Sequence, residues 1–439
     1  MIIFLARAMR KTSFMGRLAA QKITNLFQKI ENKANRIVNG TDSSFTPKAK
    51  IPMEKIYYGG LPYIAPLHPA LPSRGRKATV TLLIPTVDKN SFFGGTATAI
   101  IAAALLAEKT KRDLRIIQTI KKGYAPIKEF LERENINFGG TITLSDVSGR
   151  SYNVYGYVDI HDDDIFMASA WWDAYLLQRL PLNKKFIYII QDFEPIFYNN
   201  SDLYVLAEST YHQDNFISLC NTKLMYDFML NRNYDLIKSG TWFEPAVATK
   251  LASSDLQEQK TKRRLFLYGR PNVERNLYYT GIKSIDDCFA AKYLDPNEWE
   301  LFMGGFDGLN NIELTSGISI KNLGKMKLED YREFVSTVDV AVSLMMAPHP
   351  NYPTLEFASS GAAVVTTRYD IKQDLSNYSK NIIMADISPE SISGAINKAA
   401  SLSIKERISN SSASNIPTSW VEAMEEPLDN ILTKLGISI

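Results

Sequence analysis

The stretch that decides the fold is 331–367, YREFVSTVDVAVSLMMAPHPNYPTLEFASSGAAVVTT. An apolar run, 338–344, enters a loop with three prolines, and a helical segment then leads through Gly361 into a second apolar run, 363–366. Two apolar runs joined by a helix predict a βαβ unit with parallel strands. Ligands of such sheets bind beyond the carboxyl ends of the strands, so the proline-rich loop and Glu356 are candidates for a binding site.

The same alternation of apolar runs and helical segments extends along most of the chain. The strand candidates are residues 80–87, 114–119, 141–144, 165–170, 186–191, 203–208, 216–220, 265–268, 299–303, 318–322, 338–344, 363–366 and 382–384. Near-continuous apolar strands separated by helices predict a parallel sheet covered on both faces. A polar run over 253–264 divides the candidates into two groups. We therefore expect an α/β protein with two doubly wound, Rossmann-like parallel-sheet domains that face a cleft.

These patterns predict four segments. A basic amphipathic arm covers 1–50, a first Rossmann-like domain 51–248, a second 249–415, and a C-terminal helix that returns to the first domain 416–439. The first 36 residues carry eight Lys and Arg against one Glu, a charge of +7, whereas the whole chain has only +3. Such an arm is expected either to lie on an anionic membrane surface or to pack on its own domain.

The composition argues against several classes of protein. Two cysteines and four histidines without metal-ligand spacing indicate neither a disulfide framework nor a zinc site, and they favour a reducing cytoplasm. No Gly-x-Ser-x-Gly elbow or Walker loop is present. The body is mildly acidic, so we expect no nucleic-acid binding. The aspartates of HDDDIF, 161–166, precede an apolar strand, so we interpret them as a turn rather than as a metal site.

Residues after the predicted strands suggest a nucleotide-sugar site. Backbone N–H groups at the start of the helix near Glu356 suit an anion, and the carboxylate suits a pair of hydroxyls. Glu356 is alternatively a carboxylate that stabilises the helix dipole. Arg270 and Arg275 follow a strand that ends at Gly269, where cations stabilise a leaving diphosphate. Alternatively they are surface arginines, Arg275 pairing with Glu274.

The first domain offers candidates for holding a phosphate or an oxyanion and for binding the acceptor. The glycine pair Gly94–Gly95 opens a helix, where the backbone is accessible to a phosphate or a developing oxyanion. Tryptophans 171 and 172 open another helix and either stack on a sugar or belong to the core. Asp192 and Glu194 follow a strand. Three interpretations are open for them: they bind acceptor hydroxyls, they act as a base, or they cap a helix.

The opening stretch resembles the C-terminal signature of the family 4 glycosyltransferases, which are retaining enzymes with the GT-B fold. Glu356 matches the second Glu of the signature, which binds the nucleotide ribose in that family. The first Glu, which contacts the donor sugar, corresponds to position 349, where this chain has His349. The PHPxYPxLE variant resembles the branch that uses dTDP-β-L-rhamnose. The resemblance covers roughly residues 78–435.

The resemblance implies roles for individual residues. The family places its diphosphate on a Gly-Arg pair and a following cation, matched here by Gly269, Arg270 and Arg275, and its base pocket near 322–325. We predict catalytic roles for Gly95, Asp192, Arg270 and Arg275. The predicted donor-binding residues are Gly94, Gly269, Asn322, Lys325, His349, Tyr352, Pro353, Thr354, Leu355 and Glu356. The predicted acceptor-binding residues are Trp171, Trp172 and Glu194.

The implied function is that of a retaining, nucleotide-sugar-dependent hexosyltransferase in surface polysaccharide biosynthesis, including that of O-antigen. The expected donor is dTDP-L-rhamnose and the expected acceptor is a glycan or a lipid-linked glycan, with no metal cofactor. The expected location is cytoplasmic, peripheral on the inner face of the cell membrane. Two alternatives stay open: a non-catalytic GT-B-like subunit of a polysaccharide assembly complex, and a nucleotide-sugar epimerase of similar fold.

Overall fold

The computed structural model describes residues 50–88, 94–247 and 261–437. The predicted basic arm and most of the predicted linker over 253–264 lie outside these residues. The described part of the chain from residue 57 onward belongs to one compact unit. Within it, strands and helices alternate as the sequence predicts, and two separate parallel sheets form.

The first sheet has seven parallel strands in the order β4-β3-β2-β6-β7-β8-β9, and β1 and β5 form a separate parallel pair. The strands are β1 Leu67–Ala70, β2 Thr79–Ile84, β3 Asp113–Gln118, β4 Ile142–Asp146, β5 Gly156–Asp159, β6 Ile165–Ala168, β7 Phe186–Ile190, β8 Phe216–Asn221 and β9 Thr241–Phe243. Strands β2, β6, β7 and β8 are buried along their whole length, because helices cover both faces of the sheet.

The second sheet also has seven strands, in the order β12-β13-β11-β10-β14-β15-β16. They are β10 Arg263–Tyr268, β11 Trp299–Gly304, β12 Ile312–Glu313, β13 Ser319–Asn322, β14 Val340–Val342, β15 Ala363–Thr367 and β16 Ile382–Ala385. All neighbours are parallel except the edge pair β12–β13. The strand orders of both sheets are those of doubly wound domains, so the predicted fold class is confirmed.

Twelve helices are described. They are α1 Met53–Gly60, α2 Gly94–Lys109, α3 Ile127–Arg133, α4 Trp171–Leu177, α5 Asp202–Ser209, α6 Lys223–Asn231, α7 Tyr278–Ala290, α8 Leu328–Val335, α9 Tyr352–Ser360, α10 Pro389–Ser401, α11 Ile404–Ser412 and α12 Trp420–Lys434. No helix in these described ranges has both the length and the apolar character needed to cross a bilayer.

One predicted strand, 203–208, is wrong, because these residues form helix α5. The Ser201 side chain accepts a hydrogen bond from the backbone N–H of Tyr204 and caps the helix. Only Ala207 within α5 is buried, whereas a central strand would be buried on both faces. The short pair β1–β5 and the edge strands β9 and β12 have no counterpart among the predicted strands.

The C-terminal helix α12 packs on the first domain. Trp420, Met424 and Leu428 join the same apolar core as β2 and α2. Lys109 of α2 forms an ion pair with Asp429 at 2.7 Å. The helix stays continuous through Pro427. The chain therefore leaves the second domain and returns to cover the first.

A buried ion pair pins the second domain. Arg407 is 1% exposed, and its guanidinium lies 2.8 Å from a carboxylate oxygen of Asp339 while also donating to the backbone carbonyls of Asp339 and Gly361. Removing one partner of such a pair leaves a buried charge without compensation. We expect Arg407→Met to lower the free energy of unfolding by about 3–5 kcal/mol in urea denaturation. The exposed neighbour Lys405, changed to Met, is the matched control; equal effects of both changes would contradict this role.

Candidate functional site

A cleft of about 980 Å³ lies between the two sheets. Its walls are built mainly from residues that directly follow strands, since both sheets direct their carboxyl ends towards it. Residues after β2, β6 and β7 form the first-domain wall, and residues after β10, β11, β13 and β14 form the second-domain wall. Twelve of the seventeen predicted site residues line this cleft.

The second-domain wall carries two cations. Arg270 follows β10, and its guanidinium donates to the hydroxyl of Tyr268 at 3.4 Å. Arg275 lies in the next turn and reaches across the cleft, where its Nε lies 3.4 Å from a carboxylate oxygen of Asp192. The guanidinium of Arg275 also lies over the ring of Phe197, 4.0 Å from its centre. Both arginines line the cleft, so the wall is positive where the predicted diphosphate binds.

Glu356 lies deeper in its helix than the sequence suggests. Helix α9 begins at Tyr352, so Glu356 belongs to the second turn rather than to the first. One carboxylate oxygen accepts a hydrogen bond from the hydroxyl of Tyr331 at 2.7 Å. Burial raises the pKa of Glu356, and the Tyr331 hydrogen bond and Arg332 oppose that rise. The Tyr331 hydroxyl thus fixes the orientation of a carboxyl group in the cleft wall, as a hydroxyl-binding role requires.

His349 is held within the proline-rich loop, between Pro348 and Pro350. Its Nδ1 accepts the backbone N–H of Asn351 at 2.9 Å, and its ring packs against that of Tyr352 with 5.6 Å between the ring centres. Burial lowers the pKa of His349 to about 3, and the positive charges of Lys372 and Arg275 act in the same direction. A neutral imidazole therefore lines the cleft at the position where the family 4 signature, which this stretch resembles, has a carboxylate.

The opposite wall begins with the first turn of α2. Gly94, Gly95 and the two following residues line the cleft. The side-chain amide of Gln191 donates to the carbonyl of Gly95 at 2.8 Å and fixes this turn. A Cβ on Gly95 would lie only 3.2 Å from that amide, so the absence of a side chain at this position lets the Gln191 amide come close enough to form the hydrogen bond. First-turn N–H groups have no partner within a helix, which makes this turn suitable for an anion or an oxyanion.

Two buried carboxyl groups follow β7. Asp192 is 8% exposed and Glu194 is 5% exposed, and both line the cleft. Burial raises the pKa of Asp192, while Arg275 lowers it. Burial also raises the pKa of Glu194 to about 8, although the backbone N–H of Trp171 donates to it at 2.7 Å. The two groups therefore differ in their electrostatic environment: Asp192 forms an ion pair with Arg275, whereas Glu194 forms no ion pair with a described residue and feels the charge of Arg275 more weakly.

The protonation of Glu194 gives a test of this assignment. An unfolded Glu has a pKa of about 4.3, so the folded state binds more protons between about pH 4.3 and 8 and loses stability as the pH rises through that window. Glu194→Gln removes the dependence. We expect the variant to gain stability relative to wild type by up to about 1.4 kcal/mol per pH unit within the window, and no further above it. Urea denaturation against pH measures this, with the exposed Glu129→Gln as control; a difference that is independent of pH would contradict the assignment.

The structure separates the two adjacent tryptophans. Trp171 is fully buried, donates its indole N–H to the hydroxyl of Tyr198 at 2.9 Å and belongs to a local core. Trp172 lines the cleft. The acceptor role predicted for Trp171 therefore fails, because the side chain is enclosed, whereas Trp172 is placed where a substrate can reach it.

Four other predicted residues do not line the cleft. Leu355 is a core side chain, and Thr354 is buried with its hydroxyl directed to the carbonyl of Ser343. Asn322 is occupied in bracing its own loop through the carbonyl of Leu309 at 2.9 Å. Gly269 lies against the ring of Tyr278. Each of these predictions followed from sequence neighbourhood, but side chains that follow one another in a helix or strand point in different directions.

Tyr352 lines the cleft as predicted, and its hydroxyl also joins the two domains. Its hydroxyl lies 2.6 Å from the Thr98 hydroxyl and accepts from the Asn221 amide at 2.9 Å, and both residues belong to the first domain. On another rim, Arg332 of α8 pairs with Glu134 of the first domain at 2.8 Å. These contacts couple the two domains around the cleft. Pro353 and Lys325 line the wall as predicted.

Several cleft residues have no counterpart among the predicted ones, notably Gln191, Asn276 and Tyr331. Gln191 directly follows β7, which is the signal that selected Asp192 beside it. Asn276 adjoins Arg275 in the turn after β10. Tyr331 belongs to the apolar face of a helix, where an aromatic residue is typical of a core.

Buried polar atoms without a hydrogen-bond partner concentrate here. Among the described residues, twelve side-chain nitrogen or oxygen atoms are buried and lack such a partner. Five of the twelve belong to residues that line the cleft: Trp172 Nε1, Gln191 Oε1, Asn276 Oδ1, His349 Nε2 and Arg275 Nε, the last of which has only its 3.4 Å ion-pair contact with Asp192. Buried polar groups are normally satisfied, so this wall is built for a polar ligand.

The acidic turn before β6 has a structural role. Asp164 accepts the backbone N–H of Thr79 at 2.8 Å and pairs with Arg76, at the amino end of the sheet rather than at the cleft. Within the described ranges, no group of three or more His, Cys, Asp or Glu side chains is arranged to hold a metal ion. The expected independence of a metal stays a prediction.

Comparison with known proteins agrees with this fold. A curated relative, the O-antigen biosynthesis protein RfbC of Myxococcus xanthus, is 27% identical over 277 residues, which are 61% of this chain and 21% of RfbC. The match thus spans about a fifth of that relative. A glycosyltransferase from Rickettsia africae superposes with a TM-score of 0.54 at 13% identity, covering 82% of this chain and 100% of its own. HepE of Anabaena, whose structure was solved with UDP-glucose, superposes with a TM-score of 0.52 at 13% identity. This match covers 81% of this chain and 100% of the HepE chain.

Two protein-family models match this chain. The model for the N-terminal domain of WsaF matches residues 79–223, and the model for its C-terminal domain matches residues 263–397. The two matches follow the two sheets described above and together cover 280 of the 439 residues. The chain therefore belongs to the WsaF family and carries both of its domains in the GT-B fold.

Proposed function

We propose that the protein is a glycosyltransferase of polysaccharide biosynthesis that transfers L-rhamnose from dTDP-L-rhamnose to a glycan or lipid-linked glycan with retention of configuration. The observation that carries the proposal is the composition of the second-domain wall. There Glu356, oriented by Tyr331, and the cations Arg270 and Arg275 line one cleft. A carboxylate for ribose hydroxyls beside cations for a diphosphate is the arrangement that a nucleotide sugar requires. The rhamnosyl and retaining character rests on the sequence resemblance, and the polysaccharide context is supported by the similarity to RfbC.

The chemistry follows from the two walls. The donor binds to the second domain, with its diphosphate on Arg270 and Arg275. Arg275 then exchanges its contact with Asp192 for one with the phosphate, and the carboxylate becomes free to accept a hydrogen bond from the acceptor hydroxyl. The C1–oxygen bond of the donor breaks as the acceptor oxygen attacks the same face. The leaving phosphate takes the acceptor proton, so the reaction needs no protein nucleophile. The arginines stabilise the charge that develops on the departing diphosphate.

The acceptor occupies the first-domain wall. Gln191 and Trp172 place a buried carbonyl oxygen and a buried indole N–H there, and neither has a protein partner. Together with Glu194 they provide both acceptors and donors for sugar hydroxyls.

Calorimetric titration with a panel of nucleotide sugars, with and without EDTA, tests the proposal. The panel contains dTDP-L-rhamnose, dTDP-glucose, UDP-glucose, UDP-N-acetylglucosamine and GDP-mannose. We expect selective binding of dTDP-L-rhamnose that EDTA does not change. Selective binding of another nucleotide sugar of the panel would change the proposed donor and leave the proposed glycosyltransferase activity standing. Binding of none would refute the proposal and favour a non-catalytic subunit of an assembly complex.

We also propose that the basic arm over 1–50 holds the enzyme on the inner face of the cell membrane. Its charge of +7 over 36 residues attracts anionic lipids. In the full chain, replacing its Lys and Arg by Gln should abolish co-sedimentation with vesicles that contain phosphatidylglycerol and leave donor binding intact. Unchanged co-sedimentation would refute the membrane role.

A further inference from the structure

We propose that the loop 368–372 of the second domain, which we call the bridge loop, couples the contact between the two domains to the shape of the proline-rich loop. Lys372 is the positioning residue of this device. The bridge loop follows β15, its tip lies on the first domain, and its base holds the proline-rich loop by the backbone. The coupling needs no ligand, whereas its consequence for donor binding rests on the proposed function.

The tip of the bridge loop contacts the first domain through an ion pair and apolar packing. A carboxylate oxygen of Asp370 lies 2.9 Å from a guanidinium nitrogen of Arg232, which directly follows α6. On either side of Asp370, Tyr369 and Ile371 pack against the first-domain core that contains Phe193. Three consecutive residues of the second domain thus bind to the first domain.

The bridge loop is closed by its own backbone. The N–H of Tyr369 donates to the carbonyl of Lys372 at 3.1 Å, and the N–H of Lys372 donates to the carbonyl of Tyr369 at 2.8 Å. Asp370 turns the chain between them with a φ of +47°, a left-handed conformation that Asp adopts more readily than most residues. Because the turn is tight, a displacement of its tip is transmitted to its base.

The base of the bridge loop is a buried cation. Lys372 is fully buried, and its ammonium donates to the carbonyls of Met345 at 2.9 Å and His349 at 3.4 Å. Burial lowers the pKa of Lys372 to about 7, and the negative charge of Asp192 in the first domain opposes that fall. Hydrogen bonds from a charged group are strong, so the backbone over 345–349 keeps its shape while the ammonium stays in place.

The proline-rich loop carries the constraint to the cleft. The N–H of Met346 donates to the carbonyl of Arg275 at 2.8 Å, and both Arg275 and His349 line the cleft. A continuous series of contacts therefore runs from Arg232 in the first domain to the second-domain wall. Coupling requires an element with two positions that both sites bias. The bridge loop, docked on the first domain or released from it, is that element.

Amide hydrogen exchange of the free protein tests the coupling. The reporter is the peptide 345–351, in which the N–H groups of Met345, Met346 and Asn351 are all hydrogen bonded. Arg232→Glu, a change in the first domain, brings two negative charges together at the tip. We expect the peptide to exchange about fivefold faster than in the wild type, because local opening then costs less free energy.

Two further variants locate the path. Asp370→Asn removes the same ion pair but leaves Arg232 over the ring of Phe228, 4.7 Å from its centre, and should also speed exchange of the peptide. Lys372→Met removes the ammonium and should speed exchange by about 10-fold. Adding Arg232→Glu to Lys372→Met should speed it no further, since both changes act through one loop. The two variants at the tip decide the matter even where Lys372→Met fails to fold.

Lys238→Glu is the matched control. This exposed first-domain cation pairs with Asp235 of its own domain at 2.6 Å, so reversing its charge should leave exchange of the peptide 345–351 unchanged. A thermal melt of each variant establishes that the protein is folded.

Titration with dTDP-L-rhamnose measures the consequence for the donor. Arg232→Glu should raise the dissociation constant by about fivefold, and Lys238→Glu should leave it unchanged. Wild-type exchange of the peptide in Arg232→Glu and Asp370→Asn, equal acceleration by Lys238→Glu, or additive effects of Arg232→Glu and Lys372→Met would overturn the coupling. The predicted exchange together with no binding of any nucleotide sugar by the wild type would keep the coupling and overturn the proposed function alone.

Discussion

Replacing Arg275 by Met is expected to lower kcat/KM for sugar transfer by about 10²–10³-fold, the effect of removing one preorganised group that stabilises transition-state charge. Arg275 lies in the cleft wall, where its Nε is 3.4 Å from a carboxylate oxygen of Asp192. Its backbone carbonyl accepts a hydrogen bond from the backbone N–H of Met346, in the proline-rich loop, at 2.8 Å. Because the charge on the diphosphate grows as the bond to C1 breaks, most of the loss should appear in kcat. Steady-state kinetics at saturating acceptor measures it.

The exposed Arg74→Met is the matched control for loss of one positive charge. Arg275→Lys should recover only part of the activity, because an ammonium lacks the planar two-donor geometry of guanidinium. A thermal melt of each variant separates catalysis from folding, since Arg275→Met also leaves the buried Asp192 without its partner. Normal kcat in a folded Arg275→Met protein would remove this residue from the mechanism.

Glu356→Ala is expected to raise the dissociation constant of the nucleotide donor by about 10–100-fold, which is the effect of losing hydrogen bonds to a charged group. The carboxyl group is oriented by Tyr331 and faces the cleft, so its removal should affect the ribose and leave the acceptor KM within about twofold. Calorimetry with dTDP and kinetics with varied acceptor measure the two quantities.

Tyr331→Phe provides the matched comparison for Glu356. It removes the hydroxyl that orients the carboxyl group but leaves the group in place, so we expect a smaller loss, below about 10-fold. Equal changes in donor and acceptor constants for Glu356→Ala would indicate a general disturbance of the cleft. A larger loss for Tyr331→Phe than for Glu356→Ala would instead make the tyrosine the ligand-binding residue.

The sequence predicts the fold well because the apolar runs are long and separated by clear helical segments. The exception, 203–208, is a six-residue apolar stretch, a length that suits a strand and a short helix equally, and its cap at Ser201 decides the outcome. The paired strands β1 and β5 escape prediction since they are short, and one of them contains Pro69.

The site is predictable where chemistry follows directly after a strand. Arg270, Asp192 and Glu194 are predictable in this way, since they follow strands of a parallel sheet whose carboxyl ends lie at the cleft. Trp171 and Trp172 are neighbours of the same type, and only the helix orientation decides that the second one faces the cleft. The hydroxyl of Tyr352 reaches the first domain, a contact between residues more than 130 positions apart that no local pattern encodes.

The central claim is that this cleft transfers a sugar from a nucleotide donor. The most direct test is the incorporation of radiolabelled rhamnose from dTDP-L-rhamnose into the glycolipid fraction of membranes prepared from cells that lack this protein. We expect purified wild type to label that fraction and to release dTDP in equal amount, and Arg275→Met to do neither above background. Labelling by Arg275→Met at the wild-type rate, or donor binding by wild type with no release of dTDP and no labelled product, would contradict the account.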